Sequence, residues 1–426
     1  MVNVLYVLFG ISIILFLGFL AEFMFKKIHI PDIVFLLLIG IFIGPLGLGL
    51  VDPTDIALYA PIFTTFALIF LLFDGAFNIS LSSFAKGALK SVQITLLNFL
   101  LSAIIISLIL IAFGYPILVS LLGGFILGGV SSAFVIPLIK QLNVKGRVYS
   151  VLTLESALTD VLCIVSAFAI VEIILLKSLN FFGILSRIFE LFAIAGVLGI
   201  FFGLIWIVLI MYVFKEHKSY MITIAYLLLV YSITELLNGQ GAIAALFFGL
   251  VLRNSKDIIN YFTSLLNKVN PRLNDKVLSK KYHLYSINAI SRSEEFFYSQ
   301  IAFFLKTFFF VYIGLLLDLS DYRIIIISGV ISIAVLFARR ISNLATKAYN
   351  ALERKLITSI FARGLAAAAI AQVVLYNNIP RVNEIVQITF TVIVFTIFLS
   401  SFKVFILKRK FTLMSSKDTL TEIKNN

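Results

Sequence analysis

The sequence is short of charge, of histidine and of cysteine, and each shortage excludes something. Only 13% of its 426 residues are Asp, Glu, Lys or Arg, against 61% hydrophobic residues, and the mean hydropathy is +1.10. A soluble domain needs roughly 25% charged residues, so a soluble fold is excluded and a polytopic membrane protein is implied. One cysteine, Cys163, excludes an intrachain disulfide and offers no metal-ligand spacing. The three histidines, His29, His217 and His283, fall in loops, so none is placed for a proton relay at bilayer depth. There is no His-Glu-x-x-His pair, and no carbonyl filter or ring of charges, which argues against an intramembrane enzyme and against a channel. No enzyme activity and no cofactor are expected.

What is present is a succession of long apolar runs. A membrane span needs about 20 apolar residues. About thirteen segments meet that need: 3–25, 31–51, 57–78, 90–114, 116–139, 148–176, 182–214, 218–237, 240–253, 294–317, 322–346, 356–376 and 382–407. The first is too long for a signal-peptide core and lacks a convincing cleavage site, so it reads as a retained span. The net charge of +13 would suggest nucleic acid in a soluble protein. Here the basic residues cluster in alternate loops: Lys26, Lys86, Lys140, Lys215, the stretch 254–293, Arg354 and Lys408. By the positive-inside rule those loops are cytoplasmic, with the N-terminus outside, the C-terminus inside and no nucleic-acid partner. The cell membrane is the expected location.

With one linker span, the odd count leaves two six-helix halves of opposite orientation, which is the pattern of an inverted-repeat transporter. The expected organisation is a first repeat over 1–180, a linker span over 181–216, a second repeat over 217–410 and a cytoplasmic tail over 411–426. The fold class is therefore an all-α polytopic membrane protein with two inverted repeats and discontinuous crossing helices. Two tracts predict the discontinuities. Span 5 contains GGVSSAFVIP at 128–137, and span 12 contains Arg363-Gly364 before an alanine run. Glycine and proline weaken helices, and small residues let helices approach closely.

The most informative stretch is ESALTD, 155–160, which buries Glu155 and Asp160 in an apolar span. An ionisable residue at the bilayer centre costs about 2.5–3.5 kcal/mol on insertion scales and marks an ion or proton pathway by default. Asp160 lies about eleven residues into span 6, or roughly 17 Å, near the midplane. Ser156 is four residues earlier on the same face, so the two make an all-oxygen half-site for a small hard cation. Glu155 and Thr159 share a neighbouring face. Glu155 lies at the same depth as Arg339, which makes a structural ion pair between spans 6 and 11 the expected arrangement, with Arg340 snorkelling to the surface. Asp74, near the inner end of span 3, is either the lining of an entry funnel or an ordinary interfacial carboxylate. Lys306 either snorkels or meets a partner.

Seven segments, in order along nearly the whole chain, resemble the monovalent cation/proton antiporter superfamily, closest to the sodium/proton exchangers of bacteria and archaea. They are 31–49, 68–81 (similar to "LLFxxGL"), 155–160 (similar to "ESxxND"), 242–254, 308–319, 338–342 and 361–372. The resemblance implies a homodimer in the bilayer, with a scaffold and a moving core of spans 4–6 and 11–13. It implies Na+ (or Li+) and H+ as substrates, a role in pH homeostasis, Asp160 as the carboxylate that takes either ion, and Ser156 and Thr159 assisting. It also implies Asp74 on the cytoplasmic approach and Glu155 paired with Arg339. Two departures stand out. Thr159 occupies a place that is usually Asn or Asp, and Ser131, Ser132 and Ala133 replace the usual "TDP" at the span-5 crossing. Ser131 and Ser132 are counted among the expected substrate-binding residues; their tract is closer to the potassium-efflux branch, so K+/H+ exchange is the alternative, with a sodium-coupled solute carrier behind it. With Thr159 neutral, one carboxylate titrates per cycle and electroneutral one-for-one exchange is expected.

Overall fold

The computed structural model describes residues 4–28, 31–52, 60–77, 81–142, 144, 146–176, 181–213, 220–259, 292–341, 349, 351–375 and 379–424. All three histidines, Lys215, Lys347 and most of the basic stretch 254–293 lie outside these residues. Among the described residues the regular elements are all helices, fifteen of them. They are α1 (Val4–Ile28), α2 (Asp32–Ile43), α3 (Ala60–Ala76), α4 (Leu81–Ala112), α5 (Ile117–Ile126), α6 (Ser132–Gln141), α7 (Gly146–Leu176) and α8 (Phe181–Tyr212). They continue as α9 (Tyr220–Leu236), α10 (Gly241–Arg253), α11 (Arg292–Leu316), α12 (Tyr322–Ile341), α13 (Ala351–Ser359), α14 (Leu365–Leu375) and α15 (Val382–Lys424). Six of these helices are long and apolar enough to cross a membrane. Backbone polar groups in hydrocarbon must be satisfied within the segment, which suits the helices seen among the described residues. The tail past Ser415, whose polar composition reads as a disordered end, instead continues α15 as helix to Lys424; it contains neither Gly nor Pro to stop it.

The chain divides into two compact units, each drawing on both expected halves. One comprises 66–88 and 179–305. In it α10 packs against α8 and α9, around an aromatic core. The Phe73 ring stacks on Phe248 at 5.8 Å, and Trp206 stacks on Tyr226 at 4.3 Å. Asp74 is half-buried on α3 in this unit.

The other unit comprises 1–65, 89–178 and 306–426, and so contains α5–α7 and α12–α15. At its edge α2 and the second half of α11 approach backbone to backbone. A Cβ at Gly40 would meet Val311 O, and one at Gly314 would meet Leu37 O, so these positions admit only glycine. Beside that contact Lys306 Nζ meets Asp32 Oδ2 at 2.5 Å, a part-buried pair that supplies the partner left open for Lys306. Asp32 lies in the first turn of α2, where the helix dipole favours a carboxylate.

Two spans of this unit are broken. Residues 127–131 separate α5 from α6, and residues 360–364 separate α13 from α14. The first break follows from vicinal glycines; the second is an extended stretch with one glycine, and it begins nearer the N-terminus than Arg363-Gly364 suggested. The breaks cross each other, with Ser131 N–H donating to Ala362 O at 2.9 Å. Gly364 is required there, because a Cβ on it would collide with the Ser131 side chain. At the far end of α5 and α14 the connecting loops are fastened as well. Arg381 Nη1 donates to Gly114 O at 2.9 Å, and Tyr115 Oη donates to Glu384 Oε2 at 2.6 Å.

Candidate functional site: the crossing of two broken helices

Helix α7 runs beside the crossing, packed on α5, α6, α13 and α14. It is apolar almost all round, as befits a helix surrounded by others, and Asp160 lies about midway along it. The side chains of Glu155, Ser156, Thr159 and Asp160 are all buried.

The two carboxylates have different surroundings. Glu155 is 1% exposed and fully engaged. Arg339 grips it through two bonds, Nη1 to Oε1 and Nη2 to Oε2, the second at 2.7 Å, and Asn98 Nδ2 adds a third at 2.8 Å. A forked guanidinium and an amide satisfy an ionised carboxylate about as fully as a protein can. Arg339 is itself held at Nε, which donates to Ile357 O at 3.0 Å. Arg340, the next residue, is exposed with its guanidinium over Phe337.

Asp160 has no base beside it among the described residues. Its partner is Ser132, the first residue of α6, whose hydroxyl donates to Oδ2 at 2.5 Å and whose backbone N–H also donates. A carboxylate at a helix N-terminus is favoured by the unpaired N–H groups and the dipole. Two donors without a counter-ion among the described residues leave a negative charge on this carboxylate uncompensated, which a buried site tolerates poorly. Its remaining lone pairs and the Ser132 oxygen are ligands suited to a hard monovalent ion.

Ser156, expected beside Asp160, turns its hydroxyl to Thr153 O at 3.1 Å, the common fate of a serine inside a helix. Thr159, expected to help hold the ion, works on the backbone instead. Its Oγ1 accepts from Val130 N at 3.0 Å and donates to Ser156 O at 3.2 Å, so it pins the first break to α7. Ser131 caps α6 without a side-chain bond, and its buried hydroxyl has no partner among the described residues.

Three residues at this site had no contact foreseen from the sequence, although Arg363 had marked the second break. Asn98, on Glu155, is a lone amide in the apolar run of α4. Arg363 is fully buried, and its Nη1 donates to Gly128 O at 3.2 Å and to Gly129 O, covering the carbonyl end of α5. Lys403 Nζ donates to Thr358 O at 3.1 Å, at the carbonyl end of α13. Bases inside apolar spans were the visible signal. Glu155, Thr159, Asn98, Arg339 and Arg363 also line one small cavity, with room for about one water.

A model of the family described as "Sodium/hydrogen exchanger, transmembrane" matches residues 11–410. The chain belongs to the sodium/hydrogen exchanger family. A curated relative, Na(+)/H(+) antiporter 1 of Methanocaldococcus jannaschii, is 30% identical over 274 residues, which is 58% of this chain and 61% of that protein. The match thus spans about three-fifths of that relative's length. Two solved structures of the sodium proton antiporter MjNhaP1 from the same organism share the fold. One, at pH 8, has a TM-score of 0.73 at 22% identity, covering 96% of this chain and 98% of that one. The other, an electron-microscopy structure, has a TM-score of 0.71 at 21% identity and covers 99% of both chains. Membership in the exchanger family places this protein among multi-pass membrane transporters with an all-α fold.

Proposed function

We propose that this exchanger takes Na+ (or Li+) against H+ across the cell membrane, with proton and cation competing for Asp160. The observation that carries the reading is the contrast on one helix between Glu155, closed by Arg339 and Asn98, and Asp160, left without a base. The relatives' names, sodium/hydrogen exchanger and Na(+)/H(+) antiporter, support it.

Asp160 crosses the bilayer only when a proton or cation neutralises it. Ser132 holds the empty carboxylate with its O–H and, when the cation arrives, turns a lone pair to it. Ser131, with a free buried hydroxyl, is a second oxygen at the crossing; Ser156 and Thr159 shape the helix around the ion. Because Glu155 is held by Arg339, one carboxylate changes state per cycle and exchange is electroneutral. Asp74 lines the cytoplasmic approach. Thirteen spans in two inverted repeats suit this mechanism, in which α4–α7 and α12–α15 move as the core of alternating access. The seven shorter apolar helices, added to the six long ones, support that count. The N-terminus outside, the C-terminus inside and a homodimer complete the reading, on loop charge and family resemblance.

Purified protein in vesicles carrying a pH gradient tests it. Sodium and lithium are expected to collapse the gradient, at a rate indifferent to an imposed membrane potential. Collapse by potassium alone would establish K+/H+ exchange instead, and no response to any alkali cation would overturn the reading.

A further inference from the structure

The second broken span meets a basic residue of α15, Lys403, that the exchange cycle does not use. Helix α13 ends at Ser359, within the buried part of its unit. A helix leaves its last four carbonyls unpaired and gathers partial negative charge there. Water covers such an end at a surface; here the chain itself does. The Thr358 and Ser359 hydroxyls turn back to Arg354 O at 2.9 Å and Lys355 O at 2.7 Å, carbonyls one turn before the last four. The next donors come from other helices. Ile357 O accepts from Arg339 Nε at 3.0 Å, Thr358 O from Lys403 Nζ at 3.1 Å, and Ser359 O from Ser400 Oγ at 2.8 Å. Two of the three are cations.

Lys403 lies near one end of the apolar part of α15, where a lysine usually extends outward to water. This one turns inward. Its ammonium reaches the Thr358 carbonyl and stands 5.4 Å from the centre of the Phe361 ring. It does so with Arg339 and Arg340 within electrostatic reach, so the placement is held against like charge. The carbonyl end of α13 and the ring face compensate it. From Thr358 the chain runs four residues to Ala362, whose carbonyl takes Ser131 N–H. Ser132, the next residue, holds Asp160.

We propose that Lys403 is a positioning residue for exchange, its charge holding the carbonyl end of α13 and through it the crossing that presents Ser132 to Asp160. This rests on the exchange reading above. Lys403 does not touch Asp160, so its loss acts on the rate of the cycle and leaves the cation site nearly intact.

The test compares wild type, Lys403→Met and Lys403→Arg in sodium-driven proton exchange in vesicles. Methionine keeps the stem and drops the charge; arginine keeps the charge. Lys403→Met is expected to lower the maximal rate about tenfold while the sodium KM stays within about twofold, the loss of a charged hydrogen bond setting that scale. Lys403→Arg is expected to recover at least half of the rate. Lys403→Met at the wild-type rate, or Lys403→Arg as slow as Lys403→Met, overturns the proposal. Should Lys403→Met fail to yield folded protein, Lys403→Gln, which can still donate but carries no charge, replaces it on the same terms. Wild-type vesicles that exchange no alkali cation overturn the functional reading and this proposal with it. Active wild type beside an unimpaired Lys403→Met overturns the proposal alone.

Discussion

The two broken spans of this exchanger are held by the same device and differ in one residue. At the first break Thr159 of α7 accepts the Val130 N–H; at the second, Thr396 of α15 accepts the Arg363 N–H, also at 3.0 Å. Each threonine anchors an extended stretch to a long unbroken helix. The residue after Thr159 is Asp160, whereas the residue after Thr396 is Ile397. The first break thus receives a carboxylate, while bases gather at the carbonyl ends: Arg363 on α5, and Arg339 and Lys403 on α13. The difference teaches a division of labour. In the proposed cycle the unbroken helix α7 brings the exchangeable charge, while the bases stand at the ends of the broken helices.

That comparison can be broken at several points. The largest effect is expected at Glu155. Changing it to Gln leaves Arg339 buried without its counter-ion, a loss of about 3–5 kcal/mol. Thermal unfolding in detergent should show a large drop in Tm, and the Glu155→Gln, Arg339→Gln double variant should lie well above the sum of the single losses. A Glu155→Gln protein as stable as wild type would remove the structural role. Gly364→Ala comes next, because its methyl group enters the Ser131 side chain; a loss of about 1–3 kcal/mol is expected, partly restored by Ser131→Gly. Full stability of Gly364→Ala would show that the breaks cross less closely. The smallest effect sharpens the comparison. Thr159→Val and Thr396→Val each leave one buried N–H unpaired and should cost about 1–3 kcal/mol alike. Unequal losses in the same unfolding measurement would show that the two anchors are not equivalent.

Much of this was legible in the sequence, for reasons that also set the limit. Carboxylates in apolar spans stand out by cost alone, and depth counting paired Glu155 with Arg339 because a rise of about 1.5 Å per residue turns position into height. Vicinal glycines marked the first break. The second was harder to read, since Arg363-Gly364 marked only its end and 360–362 look like ordinary apolar span. Helical phase selected Ser156 as the neighbour of Asp160, because spacing within one helix is what a sequence displays. The hydroxyl that reaches the carboxylate belongs to Ser132, which was expected at the site by resemblance but not by helical phase, since a fold in the chain brings it there. Thr159 was visible by spacing, but its task depends on a backbone N–H freed by the break, which exists only once α5 has ended. The pairing of Lys306 with Asp32 joins residues 274 positions apart, beyond any local pattern.

The central claim is that Asp160, and not Glu155, exchanges proton for cation. Proton release on adding sodium to the detergent-purified, weakly buffered protein tests it most directly. Wild type should release about one proton per chain as the cation displaces it from the carboxylate, and folded Asp160→Asn should release none. Undiminished proton release from Asp160→Asn would place the exchange on another residue and contradict the account.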